Sequence, residues 1–364
     1  MKLQTIIHCL EAFAPPSLQE GYDNAGLLVG NPEQEVTAIL LCLDSIEATV
    51  DEAVKKKCQL IVAHHPIVFS GLKSLTGKNY IERTVIKAIQ NNIAIYVAHT
   101  NLDNVKQGVN QKIADKIGLT NCRVLRPKGG TLRKLVTFCP EKQAEAVRSA
   151  LFEAGAGTIG EYDLCSFNTI GTGTFRAGNE SNPFVGNIGE EHHESELRIE
   201  TVFPAFAQQA VIRALIEAHP YEEVAYDIYT IENKHQQIGS GLIGQLKEAI
   251  APIDWLKQLK TTFNADCIRY TQPHLAKIQT IAVCGGSGSF LIEDCLRAGA
   301  DVFVTADMKY HQFFDAENKL IIADIGHYES EQFTTELFHE LLMEKFPTFA
   351  IHFSEVKTNP VNYL

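Results

Sequence analysis

The sequence predicts an α/β fold assembled from two separated stretches, 1–125 and 234–364, with a ferredoxin-like α+β domain inserted at 126–233. Three observations carry this. In both outer stretches, short apolar runs alternate with segments of helical period, as in strands joined by crossover helices. The middle changes to strand, helix, strand, strand, helix, strand, which is the split βαβ order. The length of 364 residues suits two domains at roughly 150 residues each.

The elements follow in order. Leu3, Ile6, Ile7, Leu10 and Phe13 recur at helical spacing, and Pro15-Pro16 ends that helix near Ala14. Residues 20–30, EGYDNAGLLVG, read as turn-rich, and 36–43 as a strand. A helix over 46–57 keeps Glu47, Asp51, Glu52 and Lys55 to Lys57 on its wet face. A buried strand at 60–63 ends at His64-His65-Pro66, and a helix near 80–91 follows. The strand at 93–98 ends at His99 to Asp103, and a helix at 107–117 is capped by Gly118.

In the insert, strand 134–138 and helix 142–153 precede strands 163–175 and 197–202, with a polar, glycine-containing loop between those strands. Helix 206–218 and strand 224–230 complete it, and 127–130 and 233–241 serve as crossing linkers. Beyond it, strand 278–284 runs into Gly285-Gly286-Ser287-Gly288, followed by helix 290–298. Strand 301–305 ends at Ala306 to His311, and strand 320–323 ends at Asp324 to His327. A helix at about 330–345 and a strand at 349–353 close the chain.

Composition narrows the function classes. The formal charge of −12 (32 basic minus 44 acidic residues) and the lack of a basic block disfavour broad binding to nucleic-acid phosphates. Nine scattered cysteines, an odd count with no CxxC, fit reduced thiols in a cytoplasmic protein. Gln4, His8 and Glu11 interrupt any signal-like apolar region, and no run reaches the length of a membrane span.

The chemistry concentrates at strand ends. His64-His65, His99 with Asp103, and His327 with Glu331 each begin where a strand is expected to stop. In open α/β sheets, sites form beyond the carboxyl ends of strands, so these distant residues should meet. Three imidazoles (His64, His65, His327) and two carboxylates (Asp103, Glu331) make a nitrogen/oxygen set suited to zinc, iron, manganese, cobalt or nickel. Five ligands exceed what one open catalytic zinc takes, whereas two metals sharing a carboxylate would use them all. Asp307 and His311 are candidate catalytic residues, orienting ligands, contacting substrate or moving a proton; a hydrogen-bonded turn is the alternative. The Gly-Gly-Ser-Gly stretch reads equally as an anion site or a tight turn. Asp23-Asn24 reads as an ordinary turn, and His192-His193, within EEHHESE, as part of a solvated loop.

Together YDNAGLLVG, VAHHPIVFSGLKSL, AHTNLDNV, TADMKYH and GHYESE resemble the dinuclear-metal GTP cyclohydrolase I type 2 homologues, the NGG-interacting-factor-three-like family. The middle, with HPYEEVAYDIY, resembles the CutA/PII-like insert of its longer members. The resemblance implies a toroidal homohexamer with sites facing an inner cavity and two divalent ions per subunit. It places the ligands on His64, His65, Asp103, His327 and Glu331, with Glu331 as the bridge. TADMKYH departs from the family in lacking Gly before the Asp. The activity implied is metal-dependent hydrolysis of a nucleotide-like or phosphorylated small molecule. The alternative is a metal-handling or regulatory assembly without catalysis, its insert sensing a small ligand.

Overall fold

A computed structural model describes residues 1–364, which form a mixed α/β protein of two compact units: Met1–Pro127 with Gln237–Leu364, and Lys128–Gln236. No helix is long and apolar enough to cross a membrane. All nine cysteines are free.

The first unit holds two sheets, a division that the alternating strand–helix pattern leaves unspecified. One has the order Gly26–Val29, Ala94–Val97, Leu60–His65, Ala38–Asp44, Ala350–Phe353, parallel throughout except for its first, antiparallel edge strand. The other has the order Arg269–Tyr270, Ile321–Asp324, Val302–Ala306, Ile278–Ser287, Gly239–Ile250, Thr120–Pro127. Its three middle strands are parallel and its flanking strands antiparallel. Local patterning cannot separate one sheet from two, because each strand–helix repeat looks the same whichever edge it joins.

Both sheets turn one face to a shared core. Ile39, Leu41, Leu60 and Val62 from the first and Ile281, Val283, Val302 and Val304 from the second lie in one cluster. Helices Leu3–Phe13, Val109–Lys116, Pro252–Thr262 and Thr334–Lys345 fill it with residues such as Ile6, Ile113, Trp255 and Phe338. The alternate residues Leu40, Cys42 and Ile61 face helices Glu47–Lys55 and Tyr80–Gln90 on the other side, as period-two side chains must. Strands buried on both faces explain the unbroken apolar runs AILLCL and LIVA.

Two expectations within this unit need correction. Residues 26–29 of the turn-rich stretch form the antiparallel edge strand. Residues 239–241, taken as linker, begin the 12-residue strand Gly239–Ile250. There a Cβ on Gly239 would stand 2.1 Å from the Arg126 carbonyl oxygen, so the glycines that resemble a linker serve a close strand pair.

The second unit runs strand, helix, strand, strand, helix, strand. Its antiparallel sheet has the order Phe167–Arg176, Glu191–Pro204, Leu132–Pro140, Tyr226–Thr230. Helices Ala144–Glu153 and Gln208–Ala218 cover one face, packing Val147, Leu151, Val211 and Leu215 on Leu135, Ile199 and Phe203. His192 and His193 lie on the 14-residue strand Glu191–Pro204, not in a loop. Their polar surroundings hid a strand whose other face carries no helix.

Candidate metal centre

Strand ends within the first unit build the cluster. Leu60–His65 is a buried parallel strand, and successive side chains leave it on opposite faces, so His64 is fully buried while His65 is partly exposed. Asp44, at the end of the adjacent strand, is the register partner of His65. His99 follows Ala94–Val97 and precedes the one-turn helix Thr100–Asp103, which presents Asp103. Gly326, at φ 96°, turns the chain from strand Ile321–Asp324 into helix His327–Glu331. His327 and Glu331 therefore stand one turn apart on one face.

Every imidazole is held from behind. His64 Nδ1 donates to the Ala98 carbonyl at 2.8 Å, and His65 Nδ1 to Asp44 Oδ1 at 2.7 Å. His99 Nδ1 donates to Asp23 Oδ1 at 2.7 Å, and His327 Nδ1 to Asp307 Oδ2 at 2.7 Å. Commitment of Nδ1 fixes the tautomer and leaves Nε2 with its lone pair, the arrangement of metal-bound histidines.

The Nε2 atoms converge. His65 Nε2 lies 2.9 Å and His327 Nε2 3.1 Å from Glu331 Oε2, and the two nitrogens are 3.2 Å apart. His64 Nε2 lies 3.6 Å from Asp103 Oδ1 and 3.7 Å from Glu331 Oε1. The two oxygens of Glu331 thus face different partners. His64 Nε2 and Asp103 Oδ1 are buried with no hydrogen-bond partner. Orphaned acceptors turned on one another are costly unless a cation joins them. Three overlapping groups could hold a metal: His64, His65 and His99; His65, His327 and Glu331; His64, Asp103 and Glu331. Within each, donor atoms lie within 4.8 Å.

Burial and mutual hydrogen bonding set the electrostatics of the cluster. Burial disfavours charge on His65, yet hydrogen bonds to Asp44 and Glu331 outweigh it and raise its pKa to about 9. His327 is likewise raised to about 11 by Asp307 and Glu331 against the cost of burial. Burial would raise Glu331, but the surrounding imidazoles of His64, His327 and His65 hold it well below the usual carboxylate range. Burial and the nearby Glu331 charge push Asp103 upward.

The structure brings His64, His65, Asp103, His327 and Glu331 together, with Asp307 behind His327. His311 stands in the exposed helix Tyr310–Ala316, its ring against Tyr310 and Phe314, and makes no hydrogen bond to the cluster. Sequence reading took Asp23 for part of an ordinary turn, whereas it holds His99 and accepts the Thr100 backbone N–H at 3.0 Å. It passed over Asp44, although an acid at a strand end obeys the rule that found the histidines.

Gly286 ties the glycine-rich stretch to the site. It sits at φ 57°, and a Cβ there would stand 2.4 Å from Glu331 Oε1 and 3.2 Å from His327 Cε1. Its N–H donates to Ser330 Oγ at 2.9 Å, clamping the helix that carries both residues. Gly286→Ala should therefore lose most bound metal while keeping its secondary structure. Metal content and far-ultraviolet circular dichroism check this, and full occupancy would show that Glu331 has room to move.

A mixed α/β protein with a histidine–carboxylate cluster that could bind metal is the class that fold and site define. The chain belongs to the Duf34/NIF3 (NGG1p interacting factor 3) family, whose model matches residues 1–360. A GTP cyclohydrolase 1 type 2 homolog of Halalkalibacterium halodurans is 39% identical over 366 residues, spanning 99% of this chain and 98% of that protein. Its counterpart in Bacillus subtilis is 37% identical, with 99% and 98% covered. The crystal structure of a Bacillus cereus protein related to NIF3 superposes with a TM-score of 0.87 at 37% identity, covering 100% of this chain and 99% of that one.

Proposed function

We propose that the chain is a two-metal protein and that its centre hydrolyses a nucleotide-like or phosphorylated small molecule. The observation that carries this is the divided carboxylate of Glu331. Oε1 serves the side of His64 and Asp103, while Oε2 serves His65 and His327. Zinc, iron or manganese fits those donors, and a bound pair would supply Lewis acidity and a water of lowered pKa. The protein's own part is orientation: Ala98, Asp44 and Asp307 fix three imidazoles before any ion arrives. Asp307 also accepts the hydrogen bond from His327 Nδ1 and keeps that proton on the imidazole; His311, expected to move a proton, stands away from the cluster and takes no step. A cavity of about 600 Å³ reaches His65 and His327 and is lined by Arg269, Tyr328, Asn359 and Tyr363, offering cationic, aromatic and amide contacts to a substrate. The relatives' printed name, with its cyclohydrolase, supports a nucleotide-like substrate.

The reading includes assembly into a homohexamer in the cytoplasm and a CutA/PII-like character for the second unit. A metal-handling or regulatory assembly is the second reading, favoured by that second unit, which hydrolysis at the centre does not require. Chain purified without added metal or chelating tags should carry up to two ions by elemental analysis. Metal-loaded protein should turn over at least one nucleotide or phosphoester that His64→Ala leaves intact. Loaded protein as inert as His64→Ala across such a screen would leave only the metal-handling reading.

A further inference from the structure

The second unit contains a cavity of about 660 Å³ that has no part in the metal chemistry. It lies on the sheet face opposite the helices. Glu196, Gly171 and Phe138 belong to that face: Glu196 pairs with Gly171 and alternates with the core residues Leu197 and Ile199. Segments 177–184 and 221–225 contribute the rest of the lining.

Two features define what the cavity can take. The first is a buried carboxylate. Glu196 is 7% exposed and accepts a hydrogen bond from the Tyr221 hydroxyl at 2.8 Å through Oε1. Oε2 lies against bare backbone, since a Cβ on Gly173 would stand 2.0 Å from it. The second is an aromatic wall. Tyr221 stands between Phe175 and Phe184, with ring centroids 6.2 and 6.3 Å away and planes tilted by 59° and 51°. All three rings line the cavity together with Glu196, and an aromatic ring beside a carboxylate makes surroundings that favour a cation over a neutral or anionic group. Arg198, also in the lining, pairs with Glu200 at 2.8 Å, and Arg176 is exposed at the end of its strand.

We propose that this cavity binds a small organic cation, an ammonium group carrying apolar substituents, with the charge against Glu196 and the substituents among Phe175, Tyr221 and Phe184. Buried carboxylate and aromatic faces both favour positive charge, and the apolar lining favours alkyl groups over a hydrated metal ion. The inference stands apart from the hydrolase reading.

A charge series on one shape tests it with the full-length protein. The probes are choline, the neutral alcohol in which carbon replaces the quaternary nitrogen, and the carboxylate of the same branched skeleton. Calorimetric or ligand-observed NMR titration should show choline binding saturably and about tenfold or more tighter than the alcohol, with the carboxylate weakest. Glu196→Gln, which retains an acceptor for Tyr221, should bring choline down to the level of the alcohol. Phe184→Ala, at an exposed ring that the fold does not need, should weaken choline by several-fold and leave metal content unchanged. Equal binding of choline and the alcohol, preference for the carboxylate, or no saturable choline binding would each overturn the proposal.

Discussion

Glu331→Ala should strip the protein of metal. Each half of the cluster then keeps two ligands, His64 with Asp103 and His65 with His327, and neither pair retains the carboxylate that draws them together. Loss of an outer hydrogen-bond partner alone costs roughly 10–100-fold in metal affinity, so loss of the shared ligand should cost about 100-fold or more. The damage has a second source. Glu331 is 3% exposed and is the common acceptor for His65 and His327. Without it, two imidazoles 3.2 Å apart lose the anion between them and repel whenever both carry a proton on Nε2. Glu331→Gln should fall between wild type and Ala, because the amide fills the same space without the charge. Elemental analysis after exhaustive dialysis gives the result, and near-normal occupancy in Glu331→Ala would remove the bridge from the account.

The strand-end histidines were legible because chemistry and position coincide there. A buried parallel strand reads as a continuous apolar run, so the first polar residues after LIVA announce where the sheet opens. His64, His65, His99 and His327 all satisfy that rule. Asp23 does not, because its role arises from a contact with His99 across 76 positions of sequence and from nothing in its own neighbourhood. Gly286 was visible as a glycine, but the atoms that require it belong to a helix more than forty residues later. Division of the first unit into two sheets was hidden for a related reason. Strand Gly239–Ile250 joins Ile278–Ser287 on one side and Thr120–Pro127 on the other, and the second of these pairings spans the insert and leaves no local mark. His311 illustrates the converse: it lies near a strand end in sequence, yet an exposed helical turn directs its ring to Tyr310 and Phe314.

Removing metal should reverse the way the protein responds to alkali. In the metal-free fold His65 is raised from 6.5 to about 9 and His327 from 6.5 to about 11, so the folded chain holds these protons more tightly than the unfolded chain does. That stabilisation is fully present below about pH 6.5, and it is lost as pH rises through about 9 and then about 11. Asp103, also raised, adds to the loss in the same direction. Metal asks for the opposite protonation: unprotonated imidazoles and ionised carboxylates, so binding expels protons and strengthens with pH. Each expelled proton is worth about tenfold in affinity per pH unit until the group titrates. The thermal midpoint of chelator-treated protein should therefore fall as pH is raised above neutrality, while the gap to the metal-saturated protein widens. At the acid end, the lowered values of Asp44 and Asp307 place their contributions above the ordinary carboxylate range, to be lost as pH falls. Paired melts across this window, with chelator competition at each pH, decide the matter. An affinity that stays flat between neutral and mildly alkaline pH would mean that His65 and His327 do not give up protons to a metal, and the cluster would have to be read as a hydrogen-bonded network in its own right.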